Sequence, residues 1–313
     1  MNREHEPVLP ADRHQLLRGH LMSEISRENT VAENTAARKR PVRRYGWVAL
    51  PALAGGLALT VLLNTGGGAA PAAAVTVGQV LDRAAAAAAA RSLPQPDGKY
   101  VYVDSLVAFG SENLATGETT PGTLHRREAW QAVDGTKPGL VKEEGWQAPT
   151  KTKPGDPYPA NPDGSRPTEP NTTPSVHSPT YQFLEGLPTD PEVLLGRLYD
   201  APSGDKQLPV DQRAFETVGD LLTDQLAPPA VTAALYRAAA RIPGVELLDD
   251  SVDASGRHGW GVARTADGVR TELVFDRGSY EFLGERSVEV GSGAVVGQSA
   301  MLTKALVDRV GER

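Results

Sequence analysis

The stretch Tyr100–Phe109, YVYVDSLVAF, has the clearest strand signal in this chain. Most of its residues are aromatic or β-branched, and such residues are enriched in strands. Glycine-containing turns separate it from two further strand candidates, Thr123–Val133 and Leu140–Trp146. Neighbouring strands joined by turns of this kind pair as an antiparallel meander, and a parallel α/β sheet is not expected.

Helical patterns lie on both sides of this meander. Thr76 is a candidate N-cap for the first helix, and the alanine run Ala84–Ala90 fills its interior with the best helix former. In Leu187–Glu192 (LPTDPE), a cap residue, a proline and an acidic residue mark the start of another helix. The expected helices cover 77–91, 187–199, 212–226 and 229–241.

A second group of strands is expected near the end of the chain. Four short strands fill 245–290, where turn signals such as Asp267-Gly268 separate them, and one more follows Ser292. Together with the first meander and the helices, they predict an α+β fold. The expected architecture is a curved antiparallel, half-barrel-like sheet with packed helices.

The segment 149–179 interrupts this pattern. Nine of its 31 residues are proline, and Val176 is its only large aliphatic residue. Such a composition cannot bury enough apolar surface to fold alone. We therefore expect an exposed insertion in extended, polyproline-like conformations.

An uncharged run of 17 residues, Trp47–Leu63 (WVALPALAGGLALTVLL), predicts a single transmembrane helix. Its length is at the lower limit for crossing a hydrocarbon core about 30 Å thick. The expected domains are a cytoplasmic segment at 1–46, a linker at 64–76 and an extracytoplasmic domain at 77–313. Five basic residues precede the run and predict this orientation: Arg38, Lys39, Arg40, Arg43 and Arg44. The predicted localisation is the cell membrane.

Two other interpretations of the apolar run stay open. Ala69–Val75 (AAPAAAV) is a small-residue setting that signal peptidases accept, so the run is alternatively a cleaved signal peptide. The charged region before it is, however, far longer than the usual start of a signal peptide. The run is also compatible with a buried core helix, although the five basic residues would crowd one end of that helix.

The cytoplasmic segment contains one amphipathic pattern, at 11–28. Its apolar residues recur at helical spacing and would form one stripe: Leu16, Leu17, Leu21 and Ile25. A segment this short cannot form a domain, so the stripe is expected to meet a cytoplasmic partner protein or the inner membrane face. The alternative is a frayed leader in which the leucines are incidental.

The apolar run also divides the charge. Residues 1–46 hold 9 Lys/Arg and 6 Asp/Glu, a net charge of +3, whereas the remainder holds 23 and 33, a net charge of −10. Phosphate binding needs clustered basic residues, so nucleic acid is not an expected partner of the outer domain. The chain has no cysteine, which excludes disulfides, thiolate zinc sites and cysteine nucleophiles.

No catalytic or metal-binding pattern is present in the outer domain. Its three histidines, His125, His177 and His258, lie in separate segments, and no serine lies in a nucleophile-elbow pattern. Turn chemistry explains the acidic residues of Asp249–Asp253 more simply than catalysis does. We therefore expect no enzyme activity, no metal and no cofactor. A hydrolase would require His125, His258 and these acids to converge in one cleft.

Aromatic residues of the predicted strands are the candidate ligand-binding groups. They either fill the core or line an apolar cleft, and the sequence leaves both possibilities open. The candidates are Tyr100, Tyr102, Trp130, Trp260 and Phe275.

The order of these parts resembles a known family. The basic motif before the span (RKRPVRR), the Tyr100–Val103 strand start (YVYV), LPTDPE, a helix ending in IPGV and the closing turn DASGR are present in that order. The chain looks like uncharacterised actinobacterial single-pass membrane proteins often encoded beside extracytoplasmic-function sigma factors. The resemblance implies no catalytic residues. The outer domain also resembles the curved-sheet fold of lipoprotein carriers and of periplasmic regulators that bind anti-sigma factors.

These observations favour a membrane-anchored extracytoplasmic binding or sensing protein. Its outer domain would hold a lipid, a peptide or a partner protein, and its cytoplasmic helix would contact a regulator such as a sigma factor. Zinc-type anti-sigma domains use a histidine and two cysteines, so direct sequestration of that kind is not expected here. The alternative is a carrier or chaperone of envelope lipids or lipoproteins, and the second alternative is an envelope hydrolase.

Overall fold

A computed structural model describes residues 75–109, 111–113, 118–120, 122–145, 161–201 and 208–313. The predicted cytoplasmic segment, the predicted transmembrane helix at 47–63 and most of the predicted linker lie outside these residues. Among the helices within them, none has the length and apolar character needed to span a membrane.

The described residues form five helices and eleven strands. The helices are α1 (Val77–Ala89), α2 (Tyr181–Glu185), α3 (Pro191–Tyr199), α4 (Val210–Asp224) and α5 (Pro229–Ala239). The first six strands are β1 (Tyr100–Phe109), β2 (Ser111–Asn113), β3 (Glu118–Thr120), β4 (His125–Ala132), β5 (Gly139–Glu143) and β6 (Arg166–Thr168). The last five are β7 (Glu246–Val252), β8 (His258–Ala266), β9 (Val269–Phe275), β10 (Phe282–Glu289) and β11 (Val295–Val307).

Nine of these strands form one antiparallel sheet, in the order β6-β5-β4-β1-β11-β10-β9-β8-β7, and β2 and β3 form a separate hairpin. The predicted α+β class and the antiparallel pairing are confirmed. The long strand β11 pairs with β1 along its length, from Tyr100↔Val307 to Phe109↔Gly297, and with β10 on its other side. It therefore joins the two meanders into one sheet.

The main core lies between helices and one face of this sheet. Phe215 of α4, Leu235 of α5 and Phe275 of β9 are fully buried in it. Helix α1 contributes mainly alanines to its buried side, and these pack against the alanine-rich helix α5. Small side chains allow the two helices to approach closely, which positions α1 over the sheet.

The helix starts predicted from the sequence are confirmed where the caps are visible. Thr76 Oγ1 accepts a hydrogen bond from the backbone N–H of Gln79, whose side chain accepts one from Thr76 N, which completes a capping box. Asp190 caps α3 by accepting from the backbone N–H groups of Glu192 and Val193. These local signals fix the chain direction at the starts of α1 and α3.

The proline-rich segment is more ordered than its composition predicts. From residue 161 onward it is described, and Arg166–Thr168 pairs with β5 as the edge strand β6. Ser165, directly before this strand, is only 2% exposed. An edge strand tolerates Pro167 because only one side of it needs ladder hydrogen bonds. The expectation of an exposed insertion is therefore wrong for Ser165, and residues 166–168 are half-buried in an extended conformation.

The ladder between β10 and β11 is interrupted, and the turn after β7 fills the interruption. The paired register runs from Val288↔Val295 to Arg286↔Gln298. Beyond it, the Arg257 guanidinium donates to two backbone carbonyls, at 3.0 Å to Leu283 O and 2.9 Å to Met301 O. One side chain thereby satisfies acceptors on both strands.

The carboxylate of Asp253 holds Arg257 in this position. Its Oδ2 accepts from Arg257 Nε at 2.7 Å, and its Oδ1 accepts from the backbone N–H groups of Ser255 and Arg257. The Asp253 side chain is fully buried. The sequence interpretation of Asp253–Gly256 as a turn is confirmed, and the turn also serves as a bridge across the sheet.

Candidate functional site

A cleft opens between α1, the connection from α4 to α5, and the strands β10 and β11. Its volume is about 190 Å³. Helix α1 and the strands β10 and β11 contribute much of its apolar wall: Ala84, Ala87, Ala88, Phe282, Leu283, Met301 and Leu302. Arg257, the residue that bridges β10 and β11, also lines it, so the cleft lies beside the interrupted ladder.

Lys304 of β11 supplies a positive charge to the wall of this cleft. Its Nζ donates to the backbone carbonyls of Leu222 and Gln225 at the end of α4. Loss of hydration lowers the pKa of Lys304 to about 7, which the charge of Arg91 favours and that of Asp224 opposes. The ammonium has three N–H donors, and these two carbonyls accept from two of them.

Gln225 and Arg91 add two more polar groups to the cleft. Gln225 is 2% exposed, and its side-chain nitrogen donates to the side-chain oxygen of Gln131. Its own Oε1 is buried and accepts no hydrogen bond within the described residues. Arg91 lies just beyond α1, on the exposed side of the cleft.

A second, wider cavity of about 400 Å³ adjoins the first. The two share Leu93 and Pro229, and the second extends along the proline-containing segment 93–96 towards Tyr181 and Glu185. An extended ligand that filled the first cleft could therefore continue into the second.

Three of the predicted aromatic residues lie on the opposite face of the sheet. Tyr102 and Trp130 stack with their ring centroids 5.0 Å apart, and Tyr100 packs beside them. Successive residues of a strand point to opposite faces, and Val101 and Val103 point towards the helices instead. The Trp130 indole N–H donates to the backbone carbonyl of Glu312, so the end of the chain covers this pair.

The Tyr102 hydroxyl belongs to a charged network on that face. It donates to Glu128 Oε1 at 2.8 Å, and Arg313 donates to the other oxygen of Glu128 at 2.9 Å. Arg126 binds Asp104 through two hydrogen bonds of 2.8 and 2.7 Å. Burial and the bond to Glu128 raise the pKa of Tyr102 to about 12. The hydroxyl therefore stays protonated at neutral pH and acts as a hydrogen-bond donor.

The other two predicted aromatic residues belong to the helix-covered side. Phe275 is completely buried and contacts the rings of Tyr236 and Phe282 edge to face. Trp260 packs at the margin of this core, and the guanidinium of Arg277 lies 4.5 Å from its ring centroid. None of the five predicted residues lines either cavity. The structure does not bring them into one cleft.

The residues considered for a hydrolase are also dispersed. The His258 imidazole contacts Asp250 at 3.0 Å on the surface, whereas Asp253 is occupied by Arg257. His125 lies in β4, five strand spacings from β8 and thus about 24 Å away along the sheet. Within the described residues, no group of three or more acidic or histidine side chains could hold a metal ion. The predicted partner-binding residues Leu16, Leu17, Leu21 and Ile25 lie outside the described residues.

Sequence reasoning missed the polar residues of the cleft. Lys304 is the one charged residue of the β11 sequence VVGQSAMLTKALV, and this was the available signal. Arg257 is the last residue of the DASGR motif, and in the sequence this motif indicates only a turn. No local pattern distinguishes Arg91 or Gln225 from other polar residues near helix ends.

Comparison with known proteins gives only weak structural similarity. No protein-family model and no curated protein sequence matches the chain. Among solved structures, the complex of MucA and MucB from Pseudomonas aeruginosa is similar to it, with 12% sequence identity and a TM-score of 0.24. The match covers 74% of this chain and 56% of the other, so the chain spans little more than half the length of that protein. Similarity at this level identifies neither a ligand nor a partner.

Proposed function

We propose that this protein is a membrane-anchored binding protein, and that the cleft beside α1 is its ligand site. The cleft carries the proposal because it combines an apolar wall with polar groups that packing leaves incompletely satisfied. Binding sites have this character, in which apolar surface provides affinity and a few polar groups fix orientation. We propose binding and not catalysis, because the sequence contains no catalytic motif and the cleft has the mixed apolar and polar lining of a binding site.

The location of the protein is part of the same proposal. The apolar run at 47–63, with basic residues before it, supports a single membrane span with the binding domain outside the cell. A curved, half-barrel-like form of the sheet also belongs to the proposal. Both follow from the sequence patterns described above.

Blocking the cleft should remove the bound ligand. Ala87 lines the cleft, so Ala87→Trp would fill it, whereas Ala86 on the same helix faces solvent and Ala86→Trp would not. We expect native mass spectrometry of the full chain, purified in detergent from cells that naturally produce it, to detect a bound molecule on the wild type and on Ala86→Trp. Occupancy of Ala87→Trp should be at least about tenfold lower, a loss of about 1.4 kcal/mol in binding free energy.

The two variants are a matched pair, because both place the same side chain at neighbouring positions in the middle of α1. A wild-type protein that carries no ligand from its native membrane would contradict the proposal. Equal occupancy of Ala86→Trp and Ala87→Trp would place the ligand elsewhere.

We also propose that the cytoplasmic segment reports ligand occupancy to a transcription regulator, such as a sigma factor. The apolar stripe at 11–28 supports this, since a helix this short would bury its stripe against a partner protein or the inner membrane face, and a partner protein is the alternative that allows signalling. The double variant Leu17→Asp/Leu21→Asp should change the transcript levels of the genes that the protein controls. Gln15→Asp/Ser26→Asp, which adds the same charges on the side of the helix opposite the stripe, should not. Unchanged transcription in the first variant would refute the signalling role.

The size of the cleft weighs against the carrier alternative. Helices and side chains fill the core side of the sheet, and the cleft beside α1, of about 190 Å³, is by itself smaller than the roughly 300–1,000 Å³ of pockets that enclose drug-sized ligands, so a lipid would also have to occupy the adjoining, more open cavity. A carrier would need room for at least one whole lipid. A sensor needs to recognise only part of its ligand.

A further inference from the structure

Two basic side chains, Arg91 and Lys304, line the cleft in addition to Arg257, which Asp253 binds. Arg91 is close enough to lower the pKa of Lys304, so the two cations repel each other in the absence of a counterion. Asp224 offsets part of this effect, and among the described residues Glu281 is the one acidic residue that lines the cleft. The chain after residue 46 has a net charge of −10. A pair of basic side chains in one cleft therefore gives this part of the domain a charge opposite to that of the domain as a whole. A ligand with an anionic group would relieve the repulsion.

One acceptor of a residue that lines the same cleft, Gln225 Oε1, lacks a hydrogen-bond donor among the described residues. Gln225 Oε1 is buried without a donor in the described part of the chain, and Gln225 is one of the residues that line the cavity. An unsatisfied buried acceptor is destabilising, and a ligand N–H would satisfy it. The ligand is thus expected to carry a donor as well as an anion.

The volume sets the size of the apolar group. A cavity of about 150 Å³ holds a benzene molecule, so about 190 Å³ holds one aromatic or branched aliphatic side chain. It does not hold two acyl chains. An apolar side chain, an N–H donor and a carboxylate occur together in the last residue of a peptide.

We propose that the cleft binds the C-terminal residue of a peptide. The apolar side chain fills the cavity, the amide N–H of that residue donates to Gln225 Oε1, and the terminal carboxylate accepts from Arg91 and Lys304. The rest of the peptide continues into the adjoining cavity beyond Leu93 and Pro229. This inference names the ligand class for the binding function proposed above and rests on it.

N-acetyl-L-phenylalaninate is the minimal probe, because it has the side chain, the amide N–H and the carboxylate. We expect it to bind the full chain in nanodiscs with a millimolar Kd in an NMR titration. N-acetyl-L-phenylalaninamide, which lacks the carboxylate, and 3-phenylpropionate, which lacks the N–H, should each bind at least about tenfold more weakly. Ala87→Trp should abolish binding, and Ala86→Trp should preserve it.

Variants of the cations test the carboxylate contact. Arg91→Ala should weaken binding of the probe about tenfold but leave binding of the amide unchanged. Arg197→Ala removes an exposed arginine of α3, outside the cleft, and is the matched control. A loss of equal size for both probes would show that Arg91 acts on the shape of the cleft and not on the carboxylate.

The affinity should also fall as the pH rises. The ligand carboxylate is ionised throughout this range, so the change follows Lys304, which loses its proton near pH 7. Between pH 6 and pH 8 we expect a loss of about tenfold. Lys304→Met should remove this dependence. The other titratable or charged groups around the ammonium are Arg91, Asp224, Tyr236, Arg257 and Glu281.

The probes separate this inference from the proposed function. Sodium decanoate bound to the wild type but not to Ala87→Trp, with no binding of N-acetyl-L-phenylalaninate, would overturn the peptide ligand and keep the cleft as a lipid-binding site. Equal binding of N-acetyl-L-phenylalaninate and its amide would overturn the carboxylate contact. If no probe distinguished the wild type from Ala87→Trp, both the inference and the proposed function would fail.

Discussion

Replacing Arg257 with alanine is expected to lower the free energy of unfolding by about 3 kcal/mol. The substitution leaves the carbonyls of Leu283 and Met301 without their donor at the interrupted ladder. It also removes the guanidinium from Asp253, whose side chain is fully buried. Breaking such a network is costly, because it leaves a buried carboxylate without its cation and two carbonyls without a donor. Urea unfolding of the full chain in nanodiscs, followed by tryptophan fluorescence, measures the loss.

Arg241→Ala is the control for this measurement. Arg241 is exposed near the end of α5, and its guanidinium donates to a single carbonyl one turn earlier, that of Arg237. Its loss should cost at most about 0.5 kcal/mol, as for other surface substitutions. Arg257→Lys should lie between the two, because a lysine cannot reach both carbonyls and the carboxylate with a planar fork. If Arg257→Ala cost no more than Arg241→Ala, the bridge between β10 and β11 would have no role in stability.

Phe275→Ala should lower the free energy of unfolding by about 4 kcal/mol. Phe275 is completely buried between the sheet and the helices, and its ring contacts those of Tyr236 and Phe282 with centroids 5.2 and 5.8 Å apart. Alanine would leave a cavity in this aromatic cluster and remove two edge-to-face contacts. The same urea titration measures the change.

Phe275→Leu keeps most of the apolar volume and should cost about 1.5 kcal/mol or less. The pair of variants therefore distinguishes a core residue from a residue that lines a binding cleft. A residue in an open cleft would lose little stability on truncation. Of the two possibilities that the sequence left open for Phe275, a cost below about 1 kcal/mol for Phe275→Ala would favour cleft lining over the core.

Local patterns predicted most of the secondary structure correctly. The strand at Tyr100–Phe109, the capped starts of α1 and α3, and the strands after Val245 are present as expected. Each of these elements depends on interactions between residues that are close together in the sequence. The edge strand at Arg166–Thr168 was not predicted. The proline-rich composition around it indicated irregular structure, and its pairing with β5 depends on the tertiary fold.

The candidate site was not predictable from the same patterns. Tyr102 and Trp130 were good candidates by residue type, but strand alternation places them on the face away from the cleft. The residues that do line the cleft, Arg91, Gln225 and Lys304, come from segments up to about two hundred positions apart. Their chemistry depends on being brought together, and each one alone resembles an ordinary surface residue.

The sequence by itself determined the element types, the antiparallel α+β class, the turn chemistry and the absence of any thiol chemistry, because hydrophobic period, caps and composition act over short distances. Tertiary structure alone decided that β11 lies between β1 and β10, which face of β1 meets the helices, and that Arg257 replaces part of the ladder. The pairing of strands remote in sequence follows from the packing free energy of the whole domain. No local pattern of residues contains that information.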